Sequence, residues 1–142
     1  MATHASRNTI TGLEFEKQIT FCREDGINIS KSKLRGFLKE RGLDNPLQYL
    51  SWMFQPDEAY YIPATNEVII YEKKSQQVAG SADEKLATCE WKLQEYRDCF
   101  AAVGIDTVSY IFVFNDWFKQ PRYEKLLNYI RSKNGCDYIF AN

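Results

Sequence analysis

Asp57, Glu72 and Lys74 are the residues of this chain whose types and spacing can do chemistry. They stand in Gln55-Pro56-Asp57-Glu58-Ala59-Tyr60-Tyr61-Ile62-Pro63 and in the later run Glu67-Val68-Ile69-Ile70-Tyr71-Glu72-Lys73-Lys74. Two carboxylates can hold a divalent metal between them, and a lysine beside them can position or activate a water. That set suits the hydrolysis of a phosphodiester. A Glu-x-Lys triplet alone is commonplace, the ordinary end of a strand with solvated charges. Here an aspartate after a proline and a β-branched run leading into Glu72 set it apart.

The elements that must position these residues read as a β-hairpin. Ala59 to Ile62 makes one strand, Pro63 to Asn66 turns, and Val68 to Lys74 returns. Side chains on a strand alternate faces, so Glu72 and Lys74 project to one side while Lys73 points away. With the turn at residues 64–66, Asp57 falls close to residues 72–74. Val68-Ile69-Ile70-Tyr71 is apolar without alternation, the pattern of a strand covered on both faces.

Around the hairpin, a first helix is expected from Thr11, with Glu14 completing a capping box, through Leu13, Phe15, Ile19 and Cys22 to a stop near Asp25-Gly26. A second is expected from Ser30, with Leu34, Phe37 and Leu38 inward, ending by Gly42. Leu47 to Phe54 fits a short helix or a strand equally. Ser81 with Glu84 forms another capping box, opening a helix from Ala82 to about Ala102, closed by Gly104. Its buried stripe is Leu86, Cys89, Leu93, Tyr96 and Phe100. Val108 to Phe114 reads as a buried strand, Pro121 to Lys133 as a helix, and Cys136 to Phe140 as a final strand. The Glu72 strand, the long helix and the Val108 strand make one βαβ crossover. The fold class is α/β: a mixed sheet with helices on its faces.

The chain has 142 residues, the size of one domain, and its first ten residues read as a frayed start. With 9 Phe, 9 Tyr and 3 Trp it can fill a core. The N-terminus lacks the apolar region of a signal peptide, and no segment approaches the roughly 20 apolar residues of a membrane span. The expectation is a cytoplasmic protein with no membrane partner. Four scattered cysteines and one histidine, His4, offer no zinc-ligand spacing. Cys89 and Cys99 lie too far apart on one helix to bridge. A net charge of −1 excludes a strongly basic coat for nucleic acid, so any basic surface must be local.

Local candidates exist. Lys31, Arg35 and Lys39 recur every four residues, on one helix face, as a row for phosphate contacts or a solvated face. Lys119, Arg122 and Lys125 form a weaker second group; Trp117 and Phe118 beside them fit the core edge better than a stacking role. Gln76 continues the Glu72/Lys74 face toward a scissile phosphate or a bound water. In Gln76-Gln77-Val78-Ala79-Gly80-Ser81-Ala82-Asp83-Glu84-Lys85, the helix start at Ser81 can present free amides to a phosphate, although the cap alone accounts for Ser81 and Glu84.

The Pro-Asp pair, the hairpin spacing and the Glu72-x-Lys74 triplet resemble the PD-(D/E)XK nuclease superfamily, with Asp57, Glu72 and Lys74 on its motif positions. The polar stretch after Lys74, with its Gly-Ser and acidic-basic pair, resembles small type II restriction endonucleases within it. The resemblance implies a restriction-endonuclease-like mixed β-sheet core flanked by helices. It implies a Mg²⁺-dependent endonuclease, with Mn²⁺ able to substitute, that cuts double-stranded DNA as a homodimer. It assigns catalysis to Asp57, Glu72, Lys74 and Gln76, and the metal to Asp57 and Glu72 with a first-helix glutamate. Glu16 is that glutamate if Glu14 is committed to its cap. DNA contacts fall to Lys31, Arg35, Lys39, Gln77, Ser81 and Lys85. A Holliday-junction resolvase, a repair nickase and a non-catalytic DNA-binding domain on the same fold are the alternatives.

Overall fold

The structure of the protein, a computed structural model, describes residue 15 and residues 20–51, 55–75 and 86–141. The described elements are β1 (Ile27–Asn28), α1 (Lys33–Glu40), β2 (Glu58–Ile62), β3 (Glu67–Lys74), α2 (Cys89–Ala101), β4 (Thr107–Phe114), α3 (Glu124–Ser132) and β5 (Cys136–Phe140). The five strands form one mixed sheet in the order β1-β2-β3-β4-β5. The β1/β2 and β2/β3 pairs are antiparallel. The β3/β4 and β4/β5 pairs are parallel.

The hairpin closes at Ile62↔Glu67, with Asn66 in the left-handed region at φ 53°. Asn66 accepts from the Tyr61 hydroxyl at 2.8 Å and donates to the Gly104 carbonyl at 3.0 Å, tying the turn to the end of α2. β3, α2 and β4 form the crossover expected from the sequence, β3 and β4 pairing from Glu67↔Thr107 to Lys74↔Phe114.

Both faces of the sheet are covered. On one face Val68 and Ile70 meet Leu34 and Leu38 of α1, Leu93, Tyr96 and Phe100 of α2, and Leu127 and Ile130 of α3 in one apolar cluster. The opposite face carries Tyr60, Ile62, Ile69, Tyr71 and Val113, packed with Phe15 and Phe21. Tyr71 stacks on Phe21 with ring centroids 4.1 Å apart. The β3 run therefore lacks alternation because each face serves a different core. All five residues of the expected stripe are buried, although Leu86 stands in a 3-10 turn, Leu86–Thr88, that precedes α2.

Two helix ends are set by glycine. Gly42 (φ 95°) and Gly104 (φ 83°) adopt the left-handed conformation, and the next amides, of Leu43 and Ile105, reach back to Leu38 and Phe100 at 2.9 and 3.0 Å. Other boundaries differ from the expected ones. α1 starts at Lys33 instead of Ser30, because Lys31 sits at φ 50° and breaks any earlier helical turn. Thr20 to Arg23 lie outside any helix, with Cys22 at φ 48°, so the first helix does not extend to Asp25. Pro46–Gln48 and Pro121–Tyr123 are single 3-10 turns, the second running directly into α3. The expected start at Thr11 and the Ser81 cap lie outside the described residues. Phe118 is fully buried, 4.5 Å from Phe114 and 5.1 Å from Tyr123 between ring centroids, which places it in the core. Among the described residues no helix is long and apolar enough to cross a membrane.

Candidate active site

Asp57 follows the buried Pro56 at the open end of the hairpin, one residue before the first ladder pair, Glu58↔Tyr71. Its Oδ2 accepts the Lys73 main-chain amide at 2.8 Å, holding the carboxylate against the end of β3. Glu72 lies on the helix-covered side, and its carboxyl is hydrogen-bonded to that of Asp57. Burial and then the Asp57 charge push the Glu72 carboxyl up to about 8 from 4.5, while the ammonium groups of Lys74 and Lys92 pull it back. Two ionised acids in contact repel, so Glu72 holds its proton more tightly than a free carboxyl does. The structure thus brings Asp57, Glu72 and Lys74 together.

Of the further residues acting on or feeling Glu72, only Tyr96 is marked in the sequence, as part of the buried helix stripe. Lys92 lies on α2, half-buried, one turn before Tyr96. Tyr96 and Tyr110 are buried, and both hydroxyls are raised well above the ordinary value, first by burial. The Glu72 charge comes next for each. Tyr110 is opposite Ile70 on β4, a diagonal neighbour of Glu72, and its hydroxyl finds no hydrogen-bond partner among the described residues. The step from Lys92 to Tyr96 is four residues, so the α2 stripe could have revealed this lysine. Tyr110 carried no such signal, because an aromatic in a buried strand reads as core.

On the opposite face, the Lys73 ammonium is 2.8 Å from the Glu58 carboxylate, and each side chain is only 4% exposed. Glu58 also accepts the Phe21 amide at 2.9 Å and the Tyr60 hydroxyl. Burial pushes the Glu58 carboxyl up, yet Lys73, Tyr60 and Phe21 outweigh it and hold the group below its ordinary value. The hairpin register contained this pairing; only the outward direction of Lys73 was drawn from it.

The basic row does not survive as one helix face. Lys31 precedes α1 in its left-handed turn, leaving Arg35 and Lys39 on the helix, both exposed. Lys31 donates its amide to the Pro56 carbonyl at 2.7 Å, which pins that turn beside Asp57. A cleft of about 440 Å³ there is lined by Ser30, Lys31, Lys33, Asp57, Glu58 and Lys73, among others. Arg35 and Lys31 rim a smaller cavity of about 140 Å³ over Leu34 and Leu38. Lys39 lines neither. In the weaker group, Lys119 pairs with Asp116 at 2.9 Å and Arg122 lies over the Tyr123 ring at 5.1 Å. Glu16, Gln76, Gln77, Ser81 and Lys85 lie outside the described residues.

Among the described residues no three His, Cys, Asp or Glu side chains cluster as metal ligands. Asp57 and Glu72 are an all-oxygen pair in which burial and the Asp57 charge push the Glu72 carboxyl up. That donor set fits a hard divalent cation that keeps several waters and takes further oxygens from a substrate. Comparison with protein-family models, with curated proteins and with solved structures found no match to this chain.

Proposed function

We propose that the protein is a Mg²⁺-dependent DNA endonuclease of the PD-(D/E)XK kind, cutting double-stranded DNA in the manner of small type II restriction enzymes. The observation that carries this reading is the contact between Asp57 and Glu72 with Lys74 beside them. Two acids are held together although their charges repel, which is the arrangement a cation relieves. The mixed sheet, with β3, α2 and β4 in a parallel crossover around the acids, supports the same reading.

Asp57 and Glu72 would hold the ion, with Glu16 the further candidate from the sequence. When bound, Mg²⁺ (or Mn²⁺) would neutralise phosphate charge and polarise the scissile phosphodiester. Lys74 would orient the attacking water or stabilise the charge that builds on phosphorus. Lys92, on α2, adds a second cation acting on Glu72. Lys31 and Lys33 border the cleft that reaches Asp57, and Arg35 extends the basic surface along α1 for backbone phosphates. Among the described residues one chain carries one such pair of acids, so cutting both strands would call for two copies related by a two-fold axis.

The test is incubation of the protein with supercoiled plasmid and long linear DNA, with Mg²⁺ or EDTA, beside Glu72→Ala. Discrete Mg²⁺-dependent fragments, lost in the variant, are expected. Nicking alone would move the substrate to branched or damaged DNA. Cutting by Glu72→Ala at the wild-type rate would overturn the assignment.

A further inference from the structure

We infer that Lys73 and Glu58 are positioning residues, a buried ion pair on the rear of the sheet that holds Asp57 and Glu72 together on the front. This rests on the reading of Asp57 and Glu72 as the functional pair. Lys73 is held at both ends: its amide donates to Asp57 at 2.8 Å, and its ammonium meets Glu58, the very next residue, at 2.8 Å. Residues 57–58 are thereby clamped to residues 72–73 by main chain on one side of the sheet and by charge on the other.

The clamp answers a specific difficulty. The hairpin turn, at residues 63–66, lies at the far end from the site, and Asp57 is already past the last ladder pair. Strand ends fray, and the two carboxyls in contact repel once both are ionised, so both effects would open the hairpin here. The rear pair opposes them. Neither of its members can leave alone, because a lone buried charge is expensive. Glu58 is further anchored by the Tyr60 hydroxyl and the Phe21 amide, so the clamp reaches the segment packed on the rear face. On a face otherwise formed by Ile62, Ile69, Tyr71 and Val113, an apolar pair would fill the same place. What the ion pair adds is a fixed position for the backbone that carries Asp57 and Glu72.

The test uses the neutral, similarly shaped double variant Glu58→Gln/Lys73→Met, since Lys73→Met alone leaves a buried carboxylate without its cation and can fail to fold. A folded double variant is expected to lose protection of the Lys73 amide in hydrogen exchange. It is expected to bind Mn²⁺ about tenfold more weakly, the order of effect of residues that orient ligands from behind. Its kcat on DNA should fall by a similar factor while KM stays within about twofold. Wild-type amide protection and Mn²⁺ affinity in the folded double variant would overturn the inference and leave the pair a mere staple. If the wild type binds Mn²⁺ and the double variant loses it, but neither cuts DNA, the positioning role stands and the nuclease reading fails. If the wild type binds no Mn²⁺, Lys73 amide protection decides alone, retained protection overturning the inference and lost protection upholding it.

Discussion

At the scale of single residues, the protein holds two acids, on opposite faces of the sheet, with opposite perturbations. Glu72 is pushed up from 4.5 to about 8, so the folded state holds its proton more tightly than the unfolded chain does. Its contribution to stability is complete below pH 4.5 and is lost as pH rises through about 8. Glu58 is held below 4.5, so its contribution is present above that value and lost as pH falls through its folded value. In EDTA, thermal melts from pH 5 to pH 9 should therefore show the Glu72 contribution falling as pH rises, and Glu72→Gln should flatten that limb. A wild-type profile indistinguishable from that of Glu72→Gln would contradict the account. The alternation of β3 made the facing of Glu72 and Lys74 legible in the sequence. Lys92 and Tyr110 were not, because their closeness to Glu72 depends on how α2 and β4 pack.

At the scale of elements, β5 is the edge strand of the sheet among the described residues, and side chains cap it at Tyr138. The Tyr138 amide is taken by Asp137 Oδ1 at 2.7 Å and its carbonyl by Arg131 at 3.1 Å. Arg131 also pairs with Asp137 at 2.8 Å and lies 3.8 Å over the Tyr138 ring. The Tyr138 amide and carbonyl, which could template another strand, are thus occupied, beside an exposed Ile139. The double substitution Arg131→Ala/Asp137→Ala should leave the sheet folded but promote concentration-dependent association, measured by light scattering. A variant as monodisperse as the wild type would show the caps to be incidental. The same scale separates what the sequence could say from what it could not. The glycines at 42 and 104 marked two helix ends because their left-handed φ is needed there. The start of α1 was misread because the left-handed Lys31 has no compositional signature, and that error carried Lys31 onto a helix face it does not share.

At the scale of the whole molecule, 18 basic and 19 acidic residues leave a net charge of −1, so any grip on DNA must come from placement, not from total charge. The proposed placement is the turn at Lys31 and the face of α1, beside a cleft lined by Asp57 together with Glu58 and Lys73. Arg35→Ala should weaken DNA binding across sequences and reduce the slope of log affinity against log salt by about one phosphate contact. An unchanged slope would return that face to plain solvation. The central claim is narrower, that Asp57 and Glu72 are held together to bind a divalent cation. Its most direct measurement is a calorimetric titration with Mn²⁺ of the wild type and of Glu72→Gln at pH 8, in two buffers of different ionisation enthalpy. Saturable binding by the wild type with release of the Glu72 proton is expected, both lost in the variant. Equal binding by the two proteins, or none by the wild type, would contradict the central claim.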